Sequence, residues 1–152
     1  MIVLGVDPGQ EKSAVVQWDG VEVRAAAEMG NLELKYYLAQ WEGTLGIEWI
    51  RGYGLKIGNE TLDTVFWIGR FCEAYERKVA LKAVLIPRKE ITWELCNNRK
   101  AGDTEIRAAL IDRIGIQGTK KSPGPLRKIA GTHLFAALSV AVVLHDRLSE
   151  AP

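Results

Sequence analysis

The chain has 152 residues, of which 47% are hydrophobic and 26% charged, with two cysteines and a net charge of +1. That length gives one domain with a sizeable core, that apolar content excludes a disordered chain, and two cysteines exclude a disulfide framework. The apolar run from Met1 breaks at Asp7, and the most apolar stretch, Leu134 to Leu144, is too short for a bilayer span, so no secretion signal and no membrane partner are expected.

Ile2 to Val6 is a short apolar run of β type that ends on Asp7, and Pro8-Gly9 turns the chain at once. Asp-Pro-Gly is ordinary turn chemistry. A strand that delivers a carboxylate to its tip also makes a metal ligand. Ser13 to Trp18 and Val21 to Ala27 flank Asp19-Gly20, a two-residue hairpin signal, so the chain opens as a three-stranded meander. Asn31 can cap a helix running to Trp41. Leu45 to Ile50, "LGIEWI", reads as a fourth strand with Glu48 inside it.

Arg51 to Gly58 is a Gly-rich loop, and Asn59 caps a long amphipathic helix from about Glu60 to Lys78. Ala80 to Ile86 is a strand stopped by Pro87. Two shorter helices follow, near Lys89 to Cys96 and Thr104 to Ile114. Residues 115–131 carry four glycines and two prolines and form a basic loop. The last helix runs from Thr132 to Leu148, with Ala136, Ala137, Val140, Ala141 and Leu144 on a small-residue packing face. The order β-β-β-α-β-α-β-α-α-α predicts an α/β layer fold: a mixed sheet, three-strand antiparallel meander plus parallel strands, flanked by helices. No repeat or linker divides it, so residues 1–152 read as one domain. Cys72 and Cys96 fall in apolar-periodic segments, as reduced core thiols of a cytoplasmic protein would.

The net charge hides a split. Residues 1–50 hold three Lys/Arg against eight Asp/Glu, and residues 51–152 hold seventeen against eleven. No acid lies between Asp112 and Asp146, a stretch that contains Arg113, Lys120, Lys121, Arg127 and Lys128. Such a division suits a metal site beside a polyanion-binding surface; a solvated loop with a run of charge is the other reading. Three potential ligands occupy element positions that can converge: Asp7 at the end of the first strand, Glu48 in the fourth, His133 at the start of the last helix. A carboxylate inside an apolar strand is costly unless it is paired, metal-bound or turned to solvent. A histidine in a first helical turn serves either as a surface residue or as a ligand.

Taken together these stretches resemble a known arrangement. "VLGVDPGQEKSAVV" is similar to the first strand and hairpin of RuvC-type Holliday junction resolvases, members of the RNase H-like superfamily. "LGIEWIRGYG" resembles that family's fourth strand with its internal glutamate and Gly-rich loop, and "TVFWIGRF" the helix after it. "CNNRKAGDTEIRAALIDRIG" and "GTHLFAALSVAVVL" resemble the last third, particularly of short phage-encoded members. The similarity runs in order along nearly the whole chain.

The resemblance implies an RNase H-like five-stranded sheet and metal-dependent hydrolysis of phosphodiester bonds by paired symmetric nicks in a four-way junction. It implies a homodimer joined largely through helices, and two Mg²⁺ or Mn²⁺ ions per site. Asp7 would be the central ligand and Glu48 a second. His133 would be a further ligand or a proton shuttle. Much of the family opens the last helix with Asp-x-x-Asp; the matching positions here are His133 and Ala136, so one oxygen ligand is missing. Asp103 is the candidate to replace it as a fourth catalytic residue; helix N-capping is its alternative role. Asp103 follows Arg99-Lys100, where many relatives carry a lysine that contacts the reacting strand.

Arg70, Arg99, Lys100, Lys120, Lys121, Arg127 and Lys128 are candidate phosphate contacts, which position nucleic acid without reading its sequence. Tyr53 can stack at a junction or pack, Phe66 is expected in the core, and Trp67 at the subunit contact. Two further functions stay open: a structure-selective nuclease of the same fold acting on branched DNA broadly or on RNA, and a non-catalytic junction-binding protein. A nucleotide cofactor is not expected, because no Gly-rich phosphate motif follows the first strand and the chain is too short for a two-lobed actin-like ATPase.

Overall fold

The first apolar run becomes the central strand of a mixed sheet. In the computed structural model, which describes residues 1–152, β1 (Val3–Asp7) pairs antiparallel with β2 (Lys12–Trp18) and parallel with β4 (Thr44–Trp49). β3 (Val23–Gly30) lies outside β2, antiparallel, and β5 (Val84–Pro87) lies outside β4, parallel, so the order is β3-β2-β1-β4-β5. A central strand covered on both faces must be apolar throughout, and Val3, Leu4 and Val6 are fully buried. This is the expected meander plus parallel strands.

Side chains alternate between two helical layers. Val3, Val16 and Trp18 face α3 (Arg88–Cys96), α4 (Asp103–Ile114) and α5 (Gly131–Glu150) in the larger core. Leu4, Val6 and Val15 face α1 (Asn31–Leu38) and α2 (Asn59–Glu76) in the smaller one, built around Leu34, Leu38, Ile68, Phe71 and Tyr75. Cys72 and Cys96 are free, half-buried thiols packed against these cores. No helix is long and apolar enough to cross a membrane.

Two glycines set the distance between α5 and the sheet. A Cβ on Gly5 would fall on the backbone of Ala137 and Ala141, and one on Gly46 would come 3.0–3.1 Å from Leu144 and Val140. The small-residue face of α5 therefore lies almost on the backbone of β1 and β4.

Local details depart from the sequence expectations. Asn31 does not cap α1: Gly30 holds that position and no side chain caps the helix. Asn31 is instead buried in the sheet end. It accepts from Ser13 Oγ at 2.6 Å and donates to the Gly9 carbonyl at 2.8 Å, while Ser13 Oγ also accepts the Gly9 N–H at 3.1 Å. The polar atoms of the tight turn after Asp7 thus find partners inside the protein. Asn59 likewise begins α2 rather than capping it. α1 stops at Leu38, three residues before Trp41, and β5 is shorter than predicted because residues 80–83 lie in an irregular bend whose Ala83 N–H donates to the Glu76 side chain at 3.1 Å.

Candidate active site

Register brings the two buried acids together. Val6 pairs with Ile47 across the parallel β1–β4 ladder, so Asp7 and Glu48 are the next residues at neighbouring strand tips. Both lie two residues beyond a glycine, Gly5 or Gly46, on the face that carries α5. Ala137 sits over Gly5; one helical turn back is His133, and two strand residues on is Asp7. Each step covers about 6 Å, so the antiparallel helix delivers the imidazole to the carboxylate. His133 Nδ1 lies 2.8 Å from Asp7 Oδ2.

The other side of the cluster is built by a residue that sequence reasoning passed over. Ile86 pairs with Glu48, and β5 runs into α3 without a loop, so Arg88 starts the helix beside the strand tips. Its guanidinium lies 3.6 Å from Glu48 and pairs with Asp103. Asp103 is not a helix cap. Gly102 holds the N-cap position, Glu105 accepts the Gly102 N–H at 2.8 Å, and the Asp103 carboxylate is left free for Arg88. The signal for Arg88 was its place at the carboxyl end of a parallel strand, where α/β sheets gather their sites.

The electrostatics follow from burial. The side chains of Asp7 and Glu48 are 16% and 15% exposed, that of His133 72%. Loss of water pushes the Glu48 carboxyl up to about 7; Arg88 opposes the shift, and the charges of Asp7 and Asp103 add to it. Burial also raises Asp7 above the usual carboxylate range, although the hydrogen bond and charge of His133 pull the other way. The Asp7 hydrogen bond holds the proton on His133, raising its pKa above 6.5.

These side chains already have protein partners: Asp7 pairs with His133, and Glu48 and Asp103 share Arg88. As the side chains lie, no three carboxylate, imidazole or thiol groups are grouped closely enough to hold one ion. The donor set still fits a hard dication: two carboxylates largely cut off from water, with a third beside them, are only partly offset by His133 and Arg88, and hard oxygen donors of this kind suit Mg²⁺ or Mn²⁺. Ala136 and Asp103 line the same cleft of about 120 Å³, with Thr104, Arg107, Thr132 and Phe135. The position without an acid therefore shares a cleft with an acid from another helix.

The candidate nucleic-acid contacts divide. Tyr53, half exposed at φ +48° in the β4–α2 loop, lies under Lys89, whose Nζ is 3.8 Å from the ring centroid. Arg99 and Lys100 are exposed in the connection that leads into Asp103, with Arg99 4.9 Å over Trp93. Arg70 lies elsewhere, on α2 across the sheet from α5, stacked on Trp67 at 4.2 Å and Phe66 at 5.6 Å. Phe66 is not in the core as expected: it is 64% exposed, because α2 buries only the stripe through Thr64, Ile68, Phe71, Ala74 and Tyr75.

Lys128 is not free to clamp a phosphate, since its ammonium donates to the carbonyls of Val23 and Arg24 at 3.0 and 2.8 Å. Those carbonyls stand at the end of the sheet away from Asp7, because Trp18 pairs with both Val3 and Val23. Lys120, Arg127 and Lys128 line an open depression of about 480 Å³, and Lys121 is exposed next to Lys120. The basic loop thus gathers apart from the acidic cluster.

No protein-family model matches the chain, and no curated protein matches it in sequence. Solved structures do. Thermus thermophilus RuvC aligns at 15% identity and a TM-score of 0.69, covering 98% of this chain and 97% of that one. T. thermophilus RuvC in complex with Holliday junction substrate aligns at 13% identity and a TM-score of 0.73, covering 98% and 96%. Fowlpox virus resolvase with its substrate Holliday junction DNA aligns at 15% identity and a TM-score of 0.57, covering 97% and 99%. The fold is that of RuvC-type resolvases over nearly the whole chain.

Proposed function

We propose that this chain is a metal-dependent, structure-selective endonuclease that resolves four-way DNA junctions by paired symmetric nicks. The observation that carries the reading is the two neighbouring sets of contacts at the strand tips, Asp7 with His133 and Glu48 with Asp103 through Arg88, contributed by separate elements. The fold supports it: two of the solved structures that share it are complexes with Holliday junction DNA.

Asp7, Glu48 and Asp103 would hold Mg²⁺ or Mn²⁺, with His133 either completing the set or standing beside it. When bound, the ion supplies Lewis-acid stabilisation of phosphoryl charge and an acidified water. Asp7 and Glu48 contribute negative charge in a site that water does not screen. His133, held through Nδ1, keeps Nε2 for a proton at the reacting strand. Asp103 stands in for the oxygen ligand that Ala136 lacks. Arg99, Lys100 and Tyr53, beside the cluster, position the strand entering it; Lys120, Lys121 and Arg127 hold a more distant arm. A homodimer supplies the second nick, and Leu62 and Phe66, both exposed on α2 beside Trp67 and Arg70, offer the apolar surface for it.

The test is cleavage of matched four-way, flap and duplex DNA by the purified chain with Mg²⁺ or Mn²⁺. Symmetric nicking of the junction is the expected result, and its loss in Asp7→Asn and Glu48→Gln with junction binding retained assigns the chemistry to the cluster. Ala136 favours a second reading, a junction-binding protein without catalysis. Tight junction binding with no cleavage under either metal would establish that reading and remove the first.

A further inference from the structure

The acidic cluster contains its own cation. Arg88 is the first residue of α3, joined to β5 with no intervening loop, and its main chain is fixed by the Glu48–Ile86 and Trp49–Pro87 register. Its guanidinium reaches Glu48 at 3.6 Å and pairs with Asp103, and its charge also acts on Asp7. The side chain is only 31% exposed. The group therefore touches two of the three carboxylates proposed to hold the metal, on elements separated by more than fifty residues.

We infer that Arg88 is a positioning residue that serves as a resident counter-ion, holding the Glu48 and Asp103 carboxylates together in the metal-free protein and giving way when a divalent cation enters. The inference rests on the metal-dependent reading of the same site. Its physical basis is competition. A guanidinium among three carboxylates offsets their repulsion, and its removal leaves them uncompensated. A dication gains the attraction of the same oxygens, but only as the guanidinium withdraws from them. Arginine suits the task because it cannot lose its proton and its planar fork spans two carboxylates. Its partly exposed position gives it somewhere to go without unfolding α3.

The test uses the full chain without DNA and Mn²⁺ alone as probe, read by calorimetric titration and by the Mn²⁺-induced rise in Tm. Arg88→Gln removes the charge and is expected to bind Mn²⁺ about tenfold more tightly than wild type, with a larger rise in Tm. Arg88→Lys keeps the charge and is expected to stay within about threefold of wild type. Arg88→Met, which keeps the apolar stem, is expected to follow Arg88→Gln. A side chain that only braced α3 would give all three variants the same Mn²⁺ affinity as wild type. If Arg88→Gln and Arg88→Met bind Mn²⁺ no more tightly than wild type while Asp7→Asn abolishes binding, the metal site stands and the counter-ion inference falls. If neither wild type nor Arg88→Gln binds Mn²⁺, both fall.

Discussion

At the scale of single residues, the candidate site is a problem in unbalanced charge. Glu48 titrates near 7 in the fold and near 4.5 in a model peptide. Between those values the unfolded chain has lost its proton and the folded one has not, so raising the pH across that window destabilises the metal-free protein. The full shift corresponds to about 3 kcal/mol. Asp7, also raised, acts in the same direction, and the imidazolium of His133 adds stability below pH 6.5 that is lost as pH rises through its raised value. Chelated protein should therefore melt at a higher temperature at pH 5 than at pH 8, and Glu48→Gln should flatten most of that difference in calorimetric scans. Metal reverses the sign: its apparent affinity should climb through pH 7 as the carboxyl ionises, with proton release visible in buffers of different ionisation enthalpy. His133→Ala, in the proposed nuclease, should slow turnover by about 10²–10⁴-fold with little change in junction affinity. Wild-type turnover in that variant would take His133 out of the chemistry.

At the scale of elements, the site depends on how closely α5 can lie on the sheet. Gly5→Ala puts a methyl group into the backbone of Ala137 and Ala141, with an expected cost of about 1–3 kcal/mol or more, and it should lift His133 from Asp7. Loss of cleavage in a variant that still folds by circular dichroism is the outcome to look for. Asn31→Ala removes the donor to the Gly9 carbonyl and the acceptor for Ser13 Oγ and should cost about 1–3 kcal/mol in chemical denaturation. Asp7 and Glu48 were legible in the sequence because a carboxylate stands out within an apolar run. The element order was legible for a similar reason, since hairpin signals and helical periodicity are local. Arg88 and Asn31 were not, because each acts through a partner brought near only by sheet register. Asp103 could be read as a ligand or as a cap because helix starts attract aspartate; Gly102 and Glu105 fill the capping role. Periodicity also assigned Phe66 to the core, since it reveals a helix's apolar stripe but not how much of that stripe the sheet covers.

At the scale of the molecule, charge and apolar surface are laid out in separate regions. The acidic cluster occupies one end of the sheet, and the amine of Lys128 is tied to the other, with Lys120 and Arg127 around it. If the loop holds a DNA arm, Lys120→Gln with Lys121→Gln should weaken junction binding and reduce the salt slope by about one to two units, while Lys128→Gln should act mainly on stability. An unchanged slope would remove the loop from the interface. Phe66→Glu, on the exposed face of α2, should give a monomer in light scattering without loss of fold if that face joins two copies.

The contact between Asp7 and His133 joins residues 126 apart, and it forms only when the last helix settles on the first strand. During synthesis the acid emerges 126 residues before its imidazole partner. A half-denatured polypeptide thus has the pieces without the assembly, and the pairing of Asp7 with its imidazole partner exists only in the finished fold.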